Sequence, residues 1–151
     1  MQMLREVNLL SILLRLAIAV LIGGLLGTER GLKNRPAGMR TYILVCMGSA
    51  IVMMTNQYAF QIWNISDPVR MGAQVVSGIG FLGAGTILKG RKAHRVQGLT
   101  TAAGIWLTAA IGVAAGLGRE TTAIVSTLLA HLFMVCSIFI LDKTRVLRLV
   151  M

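Results

Sequence analysis

The sequence predicts an all-α, polytopic membrane protein of about five transmembrane helices, with the N-terminus outside and the C-terminus in the cytoplasm. Three observations predict it. Of 151 residues, 56% are hydrophobic and 13% charged, with a mean hydropathy of +0.77; a soluble domain carries about 25% charged residues. The apolar residues fall in runs that approach the ~20 needed to cross a bilayer. Small residues recur inside those runs. They are densest in residues 74–85, QVVSGIGFLGAG, which set Ser77, Gly78, Gly80, Gly83 and Gly85 in a stretch free of charge over residues 71–88. So much glycine weakens a soluble helix. In a membrane it lets two helix backbones approach closely.

The first span is expected over residues 9–27. It is too long for a signal-peptide core and has no A-x-A-like cleavage site, so it reads as a mature helix. The second is expected over residues 41–62, the third over 72–88, the fourth over 99–117 and the fifth over 121–141. The third is the shortest, and the one expected to be broken or steeply placed. The whole of residues 1–151 reads as a single transmembrane domain.

Orientation follows from the connections. The first loop holds Arg30, Lys33, Arg35 and Arg40 against Glu29, and the third holds Lys89, Arg91, Lys92 and Arg95 without an acid. The tail holds Lys143, Arg145 and Arg148. The second loop has only Arg70 with Asp67, and the fourth only Arg119 with Glu120. Basic loops alternate with near-neutral ones, and the basic side is cytoplasmic. Topology therefore accounts for the net charge of +10. Nucleic-acid binding is not expected, because no basic face has interleaved aromatics. Cys46 and Cys136 lie in apolar runs and read as small buried hydrophobes. No His or Cys has metal-ligand spacing to another.

Three spans carry small residues on one helical face: Ala19, Gly23 and Gly27 in the first, Ala73, Ser77, Gly80 and Ala84 in the third, and Gly104, Thr108 and Gly112 in the fourth. A close core of these three helices, or a surface for self-association, is the expectation.

The polar candidates lie mostly at the ends of the spans. Glu29, Arg30 and Arg40 can form a paired interfacial cluster, with Pro36-Ala37-Gly38 turning Arg40 back toward Glu29. Such a cluster is either a structural salt bridge or a site for an anion or a partner protein. Asp67 followed by Pro68 matches a helix N-cap with proline at the first position. Arg70, Gln74 and Ser77 continue from it as a polar track. One carboxylate is a poor magnesium cage, so Asp67 can at most hold a hydrated ion, and no other cofactor is expected. Thr100 or Thr101 can cap the fourth helix, and its free N–H groups favour phosphate or an anionic lipid headgroup. Arg15 inside the first span is expected to snorkel outward or pair with Asp67 or Glu120. His131 reads as a hydrogen-bonded packing residue. No nucleophile–base pair or carboxylate dyad is present, so no catalysis is expected.

Two strings carry a family likeness. One is Glu29-Arg30-Gly31 with Arg35-Pro36-Ala37-Gly38-Met39-Arg40-Thr41. The other opens with Asp67-Pro68-Val69-Arg70, runs from Gln74 through Ser77, Gly78, Gly80, Gly83 and Gly85, resumes at Val96-Gln97-Gly98-Leu99-Thr100-Thr101, and ends with Trp106 and Gly112. With these strings the chain resembles the MgtC/SapB family of bacterial inner-membrane proteins over about residues 9–118. The resemblance implies a hydrophobic membrane domain, often followed by a cytosolic C-terminal domain. It also implies links to growth in low magnesium and to survival within macrophages. The implied mode of action is regulation of other membrane proteins, including inhibition of the F-type ATP synthase. The chain stops at Met151, soon after the fifth span, and is expected to be a short member or one that ends before the soluble domain.

Two functions follow as expectations. The first is a non-enzymatic regulator that docks against itself or another membrane complex, with its basic loops meeting the cytoplasmic partner or lipid. The second is a small-ion or small-solute transporter or channel with Arg70, Gln74 and Ser77 along its path.

Overall fold

The computed structural model describes residues 7–33, 35–63, 67–89 and 96–150, with side chains described outside 88–89 and as far as 137. The described elements are α1 (Leu9–Leu32), α2 (Met39–Trp63), α3 (Arg70–Gly85), β1 (Leu88–Lys89), β2 (Val96–Gln97), α4 (Leu99–Gly116) and α5 (Glu120–Val150). An apolar run in a bilayer has no water to satisfy its peptide groups, so it folds as helix. Asn8 starts α1 with a reciprocal cap. Its Oδ1 accepts from Ser11 N at 2.8 Å, and its own N–H donates to Ser11 Oγ at 3.0 Å.

Among the described residues, α1, α2, α4 and the Glu120–Ser137 part of α5 are long and apolar enough to cross a membrane. The third expected span, α3, is too short for that. Its 16 residues rise ~24 Å, against a hydrocarbon core of ~30 Å. The chain instead leaves the helix at Thr86, and β1 pairs antiparallel with β2, Leu88 opposite Gln97 and Lys89 opposite Val96. The basic third loop thus leaves the bundle through a short antiparallel strand pair.

The close core is built differently from the expected α1–α3–α4 arrangement. Its centre is α2, which packs against α1, α3 and α4. The stripe of α1 meets it at backbone level: a Cβ on Gly23 would stand 2.6 Å from Ile43 Cα, and one on Gly27 would stand 2.6 Å from Met39 Cα. The stripe of α4 meets the adjoining side. A Cβ on Gly112 would collide with the Cys46 carbonyl, and one on Gly116 would stand 2.5 Å from the Ala50 carbonyl oxygen. Tyr42, Cys46, Ala50 and Met53 of α2 are buried between the two stripes. The stripe of α3 takes no part. Ala73, Ser77, Gly80 and Ala84 are exposed, and a Cβ on Gly78, Gly80 or Gly85 would meet nothing within 4 Å. On this helix Gly72 and Gly83 face the bundle instead. α5 covers the core with Ala123 and Thr127, and it turns Ile124, Val125, Leu128, Leu129, Leu132 and Phe133 outward. Cys46 is buried as expected, whereas Cys136 on α5 is exposed.

The expected caps also shift. Gly98, with φ +94°, occupies the N-cap of α4 in place of Thr100 or Thr101. Any Cβ there would strike the Thr86 carbonyl, so close approach and a left-handed backbone both require glycine. At the start of α3, Asp67 Oδ1 accepts from Val69 N at 3.0 Å. Asp67 thereby closes a turn ahead of a helix whose N-cap position is Val69.

Candidate functional site

Two arginines are drawn into the bundle, one toward each end of α4. Arg15 is 0% exposed. Its Nη1 donates to Gln57 Oε1 on α2 and to the Gly116 carbonyl at the end of α4, both at 2.8 Å. A helix ends with unpaired carbonyls and a negative dipole end, so a guanidinium there satisfies both. The turn that follows is shaped to fit. Gly118 has φ +72°, and a Cβ on it would stand 2.7 Å from Arg15 Nη2. Gln57 Nε2 reaches the next carbonyl, Leu117, at 3.5 Å. Glu120 opens α5 close enough to act electrostatically on Arg15. The snorkelling expectation is therefore replaced by inward burial, and of the two expected acids Glu120, not Asp67, is the neighbour.

Arg30 is 6% exposed. Its Nη2 donates to the Thr100 carbonyl at 3.2 Å and lies 3.4 Å from Met134 Sδ on α5. Tyr42 OH donates to the neighbouring Thr101 carbonyl at 3.4 Å. The expected Glu29–Arg30–Arg40 cluster is not assembled. Arg30 turns into the bundle, Glu29 pairs with Lys33 at 2.7 Å, and Arg40 is exposed. The reason lies in spacing, because Glu29 and Lys33 are one helical turn apart on the same face. Among the described residues, Arg30 Nε, Glu29 Oε2 and His131 Nδ1 are buried without a hydrogen-bond partner. The expected hydrogen bond of His131 is thus not made at Nδ1.

A third polar joint fixes α3. Asn56 Nδ2 donates to the Pro68 carbonyl, and Asn56 Oδ1 accepts from Met71 N at 3.2 Å. One amide thereby sets the end of α2 against the start of α3, antiparallel. Asn56→Ala leaves both backbone groups unpaired at a part-buried site and is expected to cost about 1–3 kcal/mol. Thermal unfolding in detergent measures that loss, and amide exchange at Met71 should accelerate with it.

The remaining expected residues separate by face. Arg70, Gln74, Ser77, Gly78, Gly80 and Gly85 lie on exposed positions of α3, while Gly83 packs on Ala102. The polar track therefore runs along the outside of the bundle. Thr101 is buried, and Thr100 and Trp106 are exposed. Arg91, Lys92 and Arg95 lie outside the described residues, and so does the side chain of Lys89. No group of three or more His, Cys, Asp or Glu able to hold a metal occurs among the described residues. Gln57 and Asn56 were missed in the sequence. The available signal was a pair of adjacent amides inside an otherwise apolar run.

Long apolar helices closed by buried, hydrogen-bonded arginines define a polytopic α-helical membrane protein. The sequence model of the MgtC family matches residues 16–142, and the chain belongs to that family. It is 43% identical over 117 residues to Protein MgtC of Salmonella typhimurium (strain LT2), covering 78% of this chain and 48% of that one. It is 44% identical over 111 residues to YhiD of Escherichia coli (strain K12), provisionally named a magnesium transporter, covering 70% of this chain and 51% of that one. An uncharacterized protein of Haemophilus influenzae is 40% identical over 126 residues, covering 80% of this chain and 52% of that one. The chain spans about half the length of the curated relatives it matches. No solved structure matches it.

Proposed function

We propose that this chain is a non-enzymatic regulator in the bacterial inner membrane. It acts by docking against other membrane complexes and against itself, in adaptation to low magnesium and intracellular survival. The observation that carries this reading is the outward face of α3. Ala73, Ser77, Gly80 and Ala84 repeat the small-residue spacing that α1 and α4 use to meet α2, yet among the described residues they stay exposed. Small residues let a second helix approach to backbone distance. Gln74 on the same exposed side offers an amide that acyl chains cannot satisfy. By contrast, the outward face of α5 is branched aliphatic and aromatic, which suits lipid. The ATP synthase to which the family likeness points is one candidate partner. The names of the relatives favour a place in magnesium homeostasis.

The transporter reading has the provisional name of YhiD in its favour. Against it, Arg70, Gln74 and Ser77 face outward, and the buried arginines are held by carbonyls and amides in a packed interior. In liposomes the regulator gives no magnesium flux above empty vesicles. Flux abolished by Gln74→Leu would overturn the regulator reading. A pull-down from magnesium-starved membranes should recover an integral membrane partner, and Gly80→Leu should lose it while the chain stays folded.

A further inference from the structure

α2 and α3 do not close completely. Between them runs a groove of about 490 Å³ lined on one side by Thr41, Leu44, Gly48 and Val52, and on the other by Gly78 and Leu82 among others. Its walls are apolar, and the hydroxyl of Ser49 at its edge is already committed to the Val45 carbonyl at 2.7 Å. Two glycines keep it open, because a Cβ on Gly48 or Gly78 would meet nothing within 4 Å.

The two ends of the groove differ. Asn56 holds the end of α2 to the start of α3, so the helices run antiparallel and Leu82 lies toward the N-terminal end of α2. That end is the basic end of the bundle, where Arg30, Lys33, Arg35 and Arg40 gather. Arg40 lies one helical turn before Leu44 and two before Gly48, on the ridge that forms the groove wall. It is exposed, and among the described residues it has no ion-pair partner. An apolar slot with a free guanidinium at its mouth matches a molecule with a long hydrocarbon chain and an anionic head. Basic pockets between helices at a membrane face recognise phospholipid headgroups in this way.

We propose that the α2–α3 groove is a binding site for an anionic phospholipid, with an acyl chain between Gly48 and Gly78 and the phosphate on Arg40. The site is separate from the outward stripe of α3 and holds whether or not that stripe docks a protein. The lipid fills a space that would otherwise let α3 rock on its Asn56 joint, so the headgroup charge of the surrounding membrane sets the position of α3.

The test uses the full chain in detergent, titrated with dioleoylphosphatidylglycerol or dioleoylphosphatidylcholine and read by native mass spectrometry. One arginine at the headgroup is expected to favour phosphatidylglycerol about fivefold. Arg40→Gln should remove that preference while both lipids still bind. Gly48→Leu with Gly78→Leu should fill the groove and abolish binding of both lipids, with helicity unchanged. The proposal is overturned if Arg40→Gln keeps the preference, or if the filled variant retains phosphatidylglycerol as the parent does. It is equally overturned if the filled variant loses a dimer while lipid retention is unchanged, because the occupant would then be a second copy. Should the filled variant fail to fold, the exposed Arg40→Gln substitution still decides.

Discussion

Gly112→Leu is expected to destroy the native packing of the bundle. Gly112 sits where α4 crosses α2, and even a Cβ there would collide with the Cys46 carbonyl and stand 2.8 Å from Ser49 Cβ. The obstacle is backbone, which cannot rotate away as a side chain can. Relief requires α4 to move off α2, which also pulls Gly116 from Ala50 and strains the Arg15 joint. Overpacking a core costs about 1–3 kcal/mol and more when the backbone must shift, and this site belongs at the upper end. Thermal unfolding in detergent, followed by helicity, should show a large fall in midpoint or no folded protein. Gly80→Leu is the matched control. It adds the same side chain to the same kind of stripe, but in open space, so the midpoint should stay near that of the parent.

Arg15→Met is the second large effect. The substitution keeps an unbranched side chain of similar reach and removes two 2.8 Å hydrogen bonds. The buried Gly116 carbonyl and the part-buried Gln57 amide oxygen then lose their donor. Leaving a buried acceptor without its partner costs about 1–3 kcal/mol, and here two acceptors lose the same donor. Arg15→Lys should recover only part of the loss, because an ammonium on a flexible stem does not reproduce the planar fork that reaches α2 and α4 together. The signature is location: amide exchange should rise first at the α4–α5 turn around Gly118, ahead of the α1–α2 contact. Equal protection there in the parent and Arg15→Met would rule out Arg15 as the clamp of that turn.

Much of the architecture was legible in the sequence. Length and hydropathy of the apolar runs set five helices near their observed places, and the stripes on α1 and α4 lie where helices meet. What was not legible was the partner of each stripe. Spacing places Ala73, Ser77 and Gly80 on one face, but only the tertiary arrangement decides whether that face turns in or out. α2 shows the complementary difficulty. It carries no regular small-residue stripe and is apolar all round, so nothing local marks it as the centre. Charges misled for a related reason. Arg30 sits in a basic loop and counts toward topology, yet its stem is long enough to bring the guanidinium back to the first turn of α4. The same reach, applied from inside α1, turns Arg15 toward a carbonyl 101 residues away in the chain. Neither partner is an acid, so charge pairing could not find it. Gly98 was noticed as part of a family string, while its left-handed backbone emerged only from the approach of Thr86.

The bundle packs α1, α2 and α4 at backbone distance and leaves the small-residue face of α3 exposed, the face that the proposed regulator presents to another protein. Single cysteines at Ser49 and Ser77, in a chain with Cys46 and Cys136 replaced by alanine, test it with a membrane-permeant maleimide. Ser49→Cys should stay unlabelled both in native membranes and after mild detergent extraction. Ser77→Cys should be protected in native membranes and become labelled once extraction strips the partner. Labelling of Ser77→Cys to the same extent in both conditions, or labelling of Ser49→Cys in the folded chain, would contradict it.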